Sequence, residues 1–291
     1  MKSKKLIRFD WAIKRLLRNK ANFVVLEGFL SELLFDNIKI EQILESDGNQ
    51  EDENDKFNRV DILTLNSKSE LIIIEIQTNY EIDYFQRMAY GVSKAITENL
   101  DLGQDYSKIK KIISINIVYF DLGQGKDYIY KGLTEFTGIH QNDLLDLSDK
   151  QKKTFIKNKV SDIFPEFYLL KVNNFDDVAR NTLDEWIYFF KNSEVKDSFK
   201  AKGLKEAGEV LDYMRLPADD LYGYNRYLDS LHLKASEIFT LQTEAEFKIE
   251  ERKTIEIAKK LILKGSDNDF ISDTTDLTNE QIEQLREELN Q

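Results

Sequence analysis

The sequence contains no cysteine, and its 291 residues include only two histidines and two prolines. Without cysteine, disulfide bonds, thiolate nucleophiles and cysteine-ligated zinc sites are excluded. His140 and His232 are too few to predict a clustered-histidine metal site or a Ser-His-Asp triad. No apolar run approaches the roughly 20 residues that span a membrane, and the basic start MKSKKLIRF lacks a signal-peptide core. We therefore expect a cytoplasmic protein with no membrane partner.

Carboxylates are the chemistry that the chain has in excess. Asp and Glu number 53 against 41 Lys and Arg, for a net charge of −12. That balance argues against nonspecific coating of nucleic acid. Basic residues nevertheless concentrate in positions 1–20, where they form either a solvated helix face or a phosphate-contact surface. Any catalytic hypothesis has to start from the acids.

The spacing of apolar residues predicts alternating helices and strands over the first 120 residues. In chain order we expect a helix over 10–34, a first strand within Phe35–Leu44, a solvated acidic loop over Glu45–Asp55, a hairpin of Arg59–Leu65 with Leu71–Gln77, a helix over Tyr80–Leu100 and a strand over Lys110–Phe120.

The rest of the chain is predicted to be mostly helical. The turn at Gly123–Lys126 predicts a hairpin into Tyr128–Tyr130, and residues 140–250 favour helix. Ile255–Leu263, Asp267–Ser272 and a capping box at Thr278-x-x-Gln281 then predict three short helices. We therefore expect a core over residues 1–140, a helical extension over 141–250 and a three-helix segment over 251–291.

The predicted hairpin brings two carboxylates together. If residues 66–70 form its loop, Leu65 lies opposite Leu71, and the same register puts Asp61 opposite Glu75. The two-residue period of a strand puts Gln77 on the face of Glu75. Facing carboxylates repel each other, and a buried, unpaired carboxylate is costly.

The repulsion in this pair requires compensation. A divalent ion such as Mg²⁺ supplies it, since Mg²⁺ takes oxygen ligands and can promote phosphodiester hydrolysis. A shared proton, or a salt bridge to Arg59 or Arg87, would compensate equally well. Spacing alone leaves these alternatives open.

Several separated motifs resemble one known family. FDWAIKRLL, LEGFLSELL, DKFNRVDIL, IIEIQ, YFQRMAYGVSK and INIVYFDLGQGKDY resemble, in this order, the recombination-promoting nuclease/transposase family of the PD-(D/E)XK superfamily. The resemblance implies an α/β fold with a restriction-endonuclease-like core, a mixed sheet flanked by helices, followed by a helical C-terminal region. It also implies an endonuclease that hydrolyses DNA with Mg²⁺ or Mn²⁺ and is associated with recombination or mobile DNA.

Carried over by residue, the resemblance makes Asp61 and Glu75 catalytic metal ligands. Gln77 then stands where the wider superfamily has Lys, and it offers hydrogen bonds but no charge. A catalytically inactive DNA-binding or protein-interaction module is therefore the alternative. An acid from the first helix would complete the site, and of Asp10 and Glu27 we slightly favour Glu27.

Two helical regions are candidates for contacts with partners. Gln86-x-x-x-Tyr90 lies on one face of the helix after the hairpin, where Arg87 and Lys94 could reach DNA phosphates; a core role is the alternative. The last helix has Glu280, Glu283, Glu287 and Glu288 against Arg286 alone. That charge disfavours DNA reading and favours a protein-contact role or self-association through the C-terminal helices.

Overall fold

The computed structural model describes residues 6–15, 19–44 and 61–289. It divides into two compact units, residues 1–221 and 222–291. Residues 1–5, the predicted acidic loop Glu45–Asp55 and Arg59 lie outside the described residues. Much of the basic segment 1–20 does as well.

A mixed sheet of six strands forms the core of the first unit, as predicted. The strands are β1 (Ile40–Leu44), β2 (Ile62–Asn66), β3 (Leu71–Gln77), β4 (Ile112–Val118), β5 (Ile129–Gly132) and β6 (Glu166–Lys171). Their order is β1-β2-β3-β4-β6-β5. The β3–β4 and β4–β6 pairs are parallel, whereas the outer pairs are antiparallel. The parallel strands therefore end together at one edge of the sheet, which we call the carboxyl edge.

Helices precede, interrupt and follow these strands. They are α1 (Phe9–Arg15), α2 (Phe23–Leu34), α3 (Tyr84–Glu98), α4 (Asp149–Phe155), α5 (Thr182–Asn192), α6 (Leu204–Val210), α7 (Ala218–Leu263), α8 (Asn268–Thr275) and α9 (Asn279–Leu289). Within the described ranges, none is long and apolar enough to cross a membrane.

Apolar packing covers β3 on both of its faces. Ile73 packs with Val92 and Ala95 of α3, and Ile72 and Ile74, on the opposite face, are also fully buried. Helices α1, α2 and α5 share a buried aromatic cluster that includes Phe9, Phe29, Trp186, Phe189 and Phe190. Burial of β3 on both faces explains its nearly continuous aliphatic sequence.

Gly28 allows α2 to approach the start of α6. A Cβ at this position would lie 2.3 Å from the carbonyl oxygen of Lys202 and 2.6 Å from Cα of Gly203. Such distances are closer than van der Waals contact, so this crossing requires glycine.

Two predictions about the middle of the chain are corrected by β6. Tyr128–Tyr130 does lead into a strand, β5, but β5 pairs with β6 and not with β4. The sheet also continues past the predicted boundary at residue 140, because β6 lies between β4 and β5. The segment 141–250, predicted to be mostly helical, therefore also contributes an inner strand of the sheet.

The second unit has helix at each of the three segments predicted near the C-terminus, but the first of them, Ile255–Leu263, is the end of the 46-residue α7 and not a short helix. Ala258, Ile271, Ile282 and Leu285 form its buried cluster, which joins α7, α8 and α9. The predicted capping box is present: Gln281 N–H donates to Thr278 Oγ1, and Thr278 N–H donates to Gln281 Oε1. These contacts satisfy backbone groups at the start of α9.

Candidate active site

The β2–β3 hairpin brings Asp61 to the strand segment that carries Glu75. Leu65 pairs with Leu71 and Ile62 with Ile74, which is the predicted register. Asp61 directly precedes β2, and its Oδ2 accepts a hydrogen bond of 2.8 Å from the backbone N–H of Ile76. Both carboxyl-bearing positions therefore lie at the carboxyl edge of the sheet.

Arg87 of α3 supplies a positive charge beside Glu75. The Glu75 side chain is buried, and Arg87 Nη2 lies 3.4 Å from its Oε2. Burial by itself would lower the pKa of Arg87, but the negative charges of Glu75 and Glu81 outweigh it and raise this pKa above its usual value. The salt bridge that the sequence offered as an alternative to a metal is therefore present.

Gln77 is held through the nitrogen of its amide. Gln77 Nε2 donates to the backbone oxygen of Asn79 at 3.2 Å and to Glu81 Oε1 at 2.7 Å. Glu81 in turn accepts from Arg87 Nη1 at 2.8 and 3.1 Å. A continuous chain of contacts thus runs from Glu75 through Arg87 and Glu81 to Gln77.

Of the two first-helix acids, the structure does not bring Glu27 to this site. Its Oε1 accepts from the N–H of Ile40 and its Oε2 pairs with Lys39 at 2.6 Å. Ile40 pairs with Asn66, beside the hairpin loop and at the opposite end of β2 from Asp61. Glu27 therefore anchors the start of β1, and the expectation that favoured it as the third acid is corrected.

Asp10 lies toward the carboxyl edge. Its carboxylate pairs with Arg8 at 2.8 Å and accepts from the N–H of Trp11. The guanidinium of Arg8 stacks over the ring of Tyr119, which directly follows β4. The N–H of Tyr119 donates to the backbone oxygen of Gln77. Asp10 is thus the acid of the two that shares an edge with Asp61.

Helix α3 divides its four predicted DNA contacts between two environments. Gln86 and Tyr90 are exposed and lie one turn apart on the same face. Arg87 is turned inward to the two glutamates, and Lys94 lies 3.6 Å from Glu98. Of the four predicted contacts, Gln86 and Tyr90 are therefore the two most open to a partner.

The comparison with known proteins gives one match. Residues 7–240 match the family described as PD-(D/E)XK nuclease family transposase. The chain belongs to this family. No curated protein and no solved structure matches it. In this PD-(D/E)XK nuclease family transposase, the matched segment contains all six strands of the sheet, α3 and every predicted site residue.

PD-(D/E)XK nucleases generally use divalent metal ions, so the donor set of this member must be tested for fit. Asp61 and Glu75 supply carboxylate oxygens, and the amide of Gln77 has an oxygen that its two hydrogen bonds leave unused. Hard oxygen donors of this kind fit Mg²⁺ or Mn²⁺. Across 6–15, 19–44 and 61–289, no three His, Asp or Glu side chains cluster as a metal site.

Sequence reasoning missed the polar groups behind Glu75 in this PD-(D/E)XK protein. Tyr84, fully buried on α3, donates to Asn116 Oδ1 at 3.3 Å; burial, with the charge of Glu75, raises the pKa of Tyr84. Asn116 donates to Ser114 Oγ at 2.9 Å. The polar residues Ser114 and Asn116 within the apolar run IISINIV were the only sequence signal for this network.

A small cavity lies between this network and α3. Its lining includes Glu75, Tyr84, Arg87, Ser114 and Asn116, and its volume is about 10 Å³. That volume is near the minimum for one water molecule and far too small for a nucleotide. This cavity therefore cannot hold a nucleotide behind Glu75.

Proposed function

We propose that this PD-(D/E)XK nuclease family transposase is a metal-dependent DNA endonuclease that hydrolyses phosphodiester bonds during recombination or the movement of mobile DNA. The observation that carries the proposal is the hydrogen bond from the Ile76 N–H to Asp61, because it holds that carboxylate against the strand segment bearing Glu75. Family membership supports a nuclease in general.

The carboxylates of Asp61 and Glu75 would hold Mg²⁺ or Mn²⁺. Such an ion would polarise a phosphoryl oxygen and lower the pKa of water at the site. The backbone N–H of Ile76 orients Asp61, and Arg87 limits the repulsion between the carboxylates. Asp10 is the acid that we propose to support the site from the first helix.

DNA would approach along the exposed face of α3. Gln86 and Tyr90 are exposed there and offer an amide and an aromatic ring. Lys94 would add a phosphate contact by exchanging its pairing with Glu98. Arg87 is proposed to act on Glu75 and Glu81, with DNA contact as a secondary role. We also propose that the protein is located in the cytoplasm, because a nuclease of this family would act on DNA there.

A second candidate function is supported by the Arg87–Glu75 pair. Because Arg87 already compensates Glu75, the site can remain stable without a metal. A catalytically silent DNA-binding or protein-interaction module would keep the fold and this salt bridge but would not cleave DNA.

Self-association through α7 is part of the proposal. Leu231, Ile238 and Ala245 recur every seven residues, and Leu228, Ala235 and Ile249 lie on the same stripe, which Gln242 interrupts. Ile238 and Ile249 are exposed. A stripe of this period is typical of a helix that pairs with another helix. We propose that α7 of a second copy of the chain is that partner. In α9, Arg286 donates hydrogen bonds to the side chain of Asn268 and the backbone oxygen of Ser266. The exposed charge of α9 therefore comes mainly from its glutamates, which disfavours DNA contact there.

Nicking of supercoiled plasmid tests the two candidate functions. The endonuclease predicts nicked or linear product with Mg²⁺ or Mn²⁺, no product with a chelator, and no product from Glu75→Gln. The silent module predicts intact plasmid under all of these conditions, with DNA or protein binding retained.

A further inference from the structure

Gln77 and Glu81 form a contact that defines the orientation of the Gln77 amide. The two acceptors of Gln77 Nε2 are the backbone oxygen of Asn79 and a carboxylate oxygen of Glu81. Neither group can donate a hydrogen bond when Glu81 is ionised, so the amide nitrogen and not the amide oxygen must face them. The chemistry of these two acceptors therefore fixes the orientation of the Gln77 amide.

Both N–H groups of Gln77 are consumed by these contacts. The amide oxygen Oε1 receives no hydrogen bond from any residue in the described ranges. Gln77 can therefore offer an incoming group an acceptor but not a donor. The sequence indicated only that Gln77 offers hydrogen bonds in place of the positive charge of lysine; the structure leaves the acceptor as the part of its amide that is open to a ligand.

Glu81 is itself held in place from the other side. Arg87 Nη1 donates to both of its carboxylate oxygens, and Arg87 Nη2 lies 3.4 Å from Glu75. Oε1 of Glu81 accepts from Arg87 and Gln77 together. The geometry of Gln77 is thus tied to the same guanidinium that contacts Glu75.

We propose that Glu81 is a positioning residue that, by binding the amide nitrogen of Gln77, presents the Gln77 carbonyl oxygen as a third oxygen ligand beside Asp61 and Glu75. This inference rests on the proposed metal-dependent function. Gln77 lies one strand period beyond Glu75, on the same face and at the same edge of β3. An amide oxygen is a neutral hard donor, so it adds a ligand without adding a third negative charge.

Binding of Mn²⁺ in the absence of DNA tests this assignment. Free Mn²⁺ is measured by electron paramagnetic resonance during titration of the full chain, for wild type, Gln77→Met, Glu81→Leu, Glu81→Gln and the double variant Gln77→Met/Glu81→Leu. Met has nearly the length of Gln but lacks the amide. Gln at position 81 keeps an oxygen that can accept from Gln77. Thermal melting in metal-free buffer checks that each variant is folded.

We expect Glu81→Leu to weaken Mn²⁺ binding by about 10- to 100-fold, the range found for outer partners of metal ligands. Gln77→Met should weaken it at least as much, because it removes the ligand oxygen itself. Glu81→Gln should retain most of the affinity. The double variant should bind no more weakly than Gln77→Met, because Glu81 acts through Gln77.

Three results would overturn the inference while leaving the proposed function intact. Mn²⁺ binding by Gln77→Met at wild-type affinity would remove Gln77 as a ligand. Wild-type affinity in folded Glu81→Leu would remove the positioning role. Equal losses from Glu81→Leu with and without Gln77→Met would mean that Glu81 acts through Arg87. Absence of Mn²⁺ binding by wild-type protein would overturn the proposed function and this inference together.

Discussion

The guanidinium of Arg87 lies 3.4 Å from the carboxylate of Glu75, and Arg87 also binds Glu81. Glu75 is 7% exposed, so its charge has little solvent to stabilise it. In a site without metal, Arg87 is therefore a cation that, within the described part of the chain, compensates this buried carboxylate. A divalent ion bound to Glu75 would share this role with Arg87.

Replacing Arg87 by methionine should lower stability in metal-free buffer. We expect a loss of about 2 kcal/mol, between the values for exposed and fully buried pairs, because Glu75 and Glu81 lose their common partner. Added Mn²⁺ should raise the melting temperature more in Arg87→Met than in wild type.

Arg180→Met is the matched control, since Arg180 pairs with Asp176 on an exposed surface. It should leave the melting temperature nearly unchanged. If Arg87→Met were as stable as wild type without metal, Arg87 would not be the compensating cation.

Gln77→Lys tests whether the site lacks only a positive charge. The lysine Nζ should take over the contacts to Asn79 and Glu81, so that its charge pairs with Glu81 and the amide oxygen is lost. We expect weaker Mn²⁺ binding and cleavage no faster than wild type. Single-turnover plasmid cleavage measures the rate, and a Gln77→Lys rate above that of wild type would contradict the donor arrangement described for Gln77.

Tyr90 should contribute to DNA affinity through its exposed ring. Stacking of a base on an aromatic ring contributes about 1–3 kcal/mol, so Tyr90→Ala should weaken binding about fivefold or more. Fluorescence anisotropy with labelled DNA, in a Glu75→Gln background that prevents cleavage, measures this effect. Tyr90→Phe keeps the ring and should bind like the parent. Equal affinities for Tyr90→Ala and the parent would exclude Tyr90 from the interface.

Ile238 tests self-association through α7. Ile238→Lys puts a charge on the apolar stripe and should shift the protein toward monomer in sedimentation velocity. Ser236→Lys adds the same charge to an exposed position off the stripe and should leave the association state unchanged. The stripe has no role in association if both variants sediment like wild type.

The hairpin register could be predicted because its information is local. The five-residue connection and the alternation on both sides define one pairing, and Leu65 does lie opposite Leu71. The partner of β5 could not be predicted in the same way. β6 comes more than thirty residues later, and its apolar sequence alone does not reveal that it lies between β4 and β5.

The site residues also differ in whether local sequence information is enough to place them. Asp61 and Glu75 follow from strand periodicity, whereas Glu27 has an apolar context that predicts burial but not the end of the sheet where it is buried. Glu81 lies in the connection between β3 and α3, where no periodic pattern distinguishes it from neighbouring acids. The hydrogen bond between Gln77 and Glu81 depends on how the chain turns after β3, and this turn could not be predicted from the sequence.

Asp61→Asn gives the most direct measurement of the central claim. Asn keeps an oxygen that can accept from the Ile76 N–H, so the hairpin should remain intact while the ligand charge is lost. Nicking of supercoiled plasmid is followed with Mg²⁺ for wild type and Asp61→Asn, and with a chelator for wild type. The account predicts that, of these three reactions, only wild-type protein with Mg²⁺ cleaves the plasmid. Cleavage by Asp61→Asn at the wild-type rate, or by wild type without metal, would contradict it.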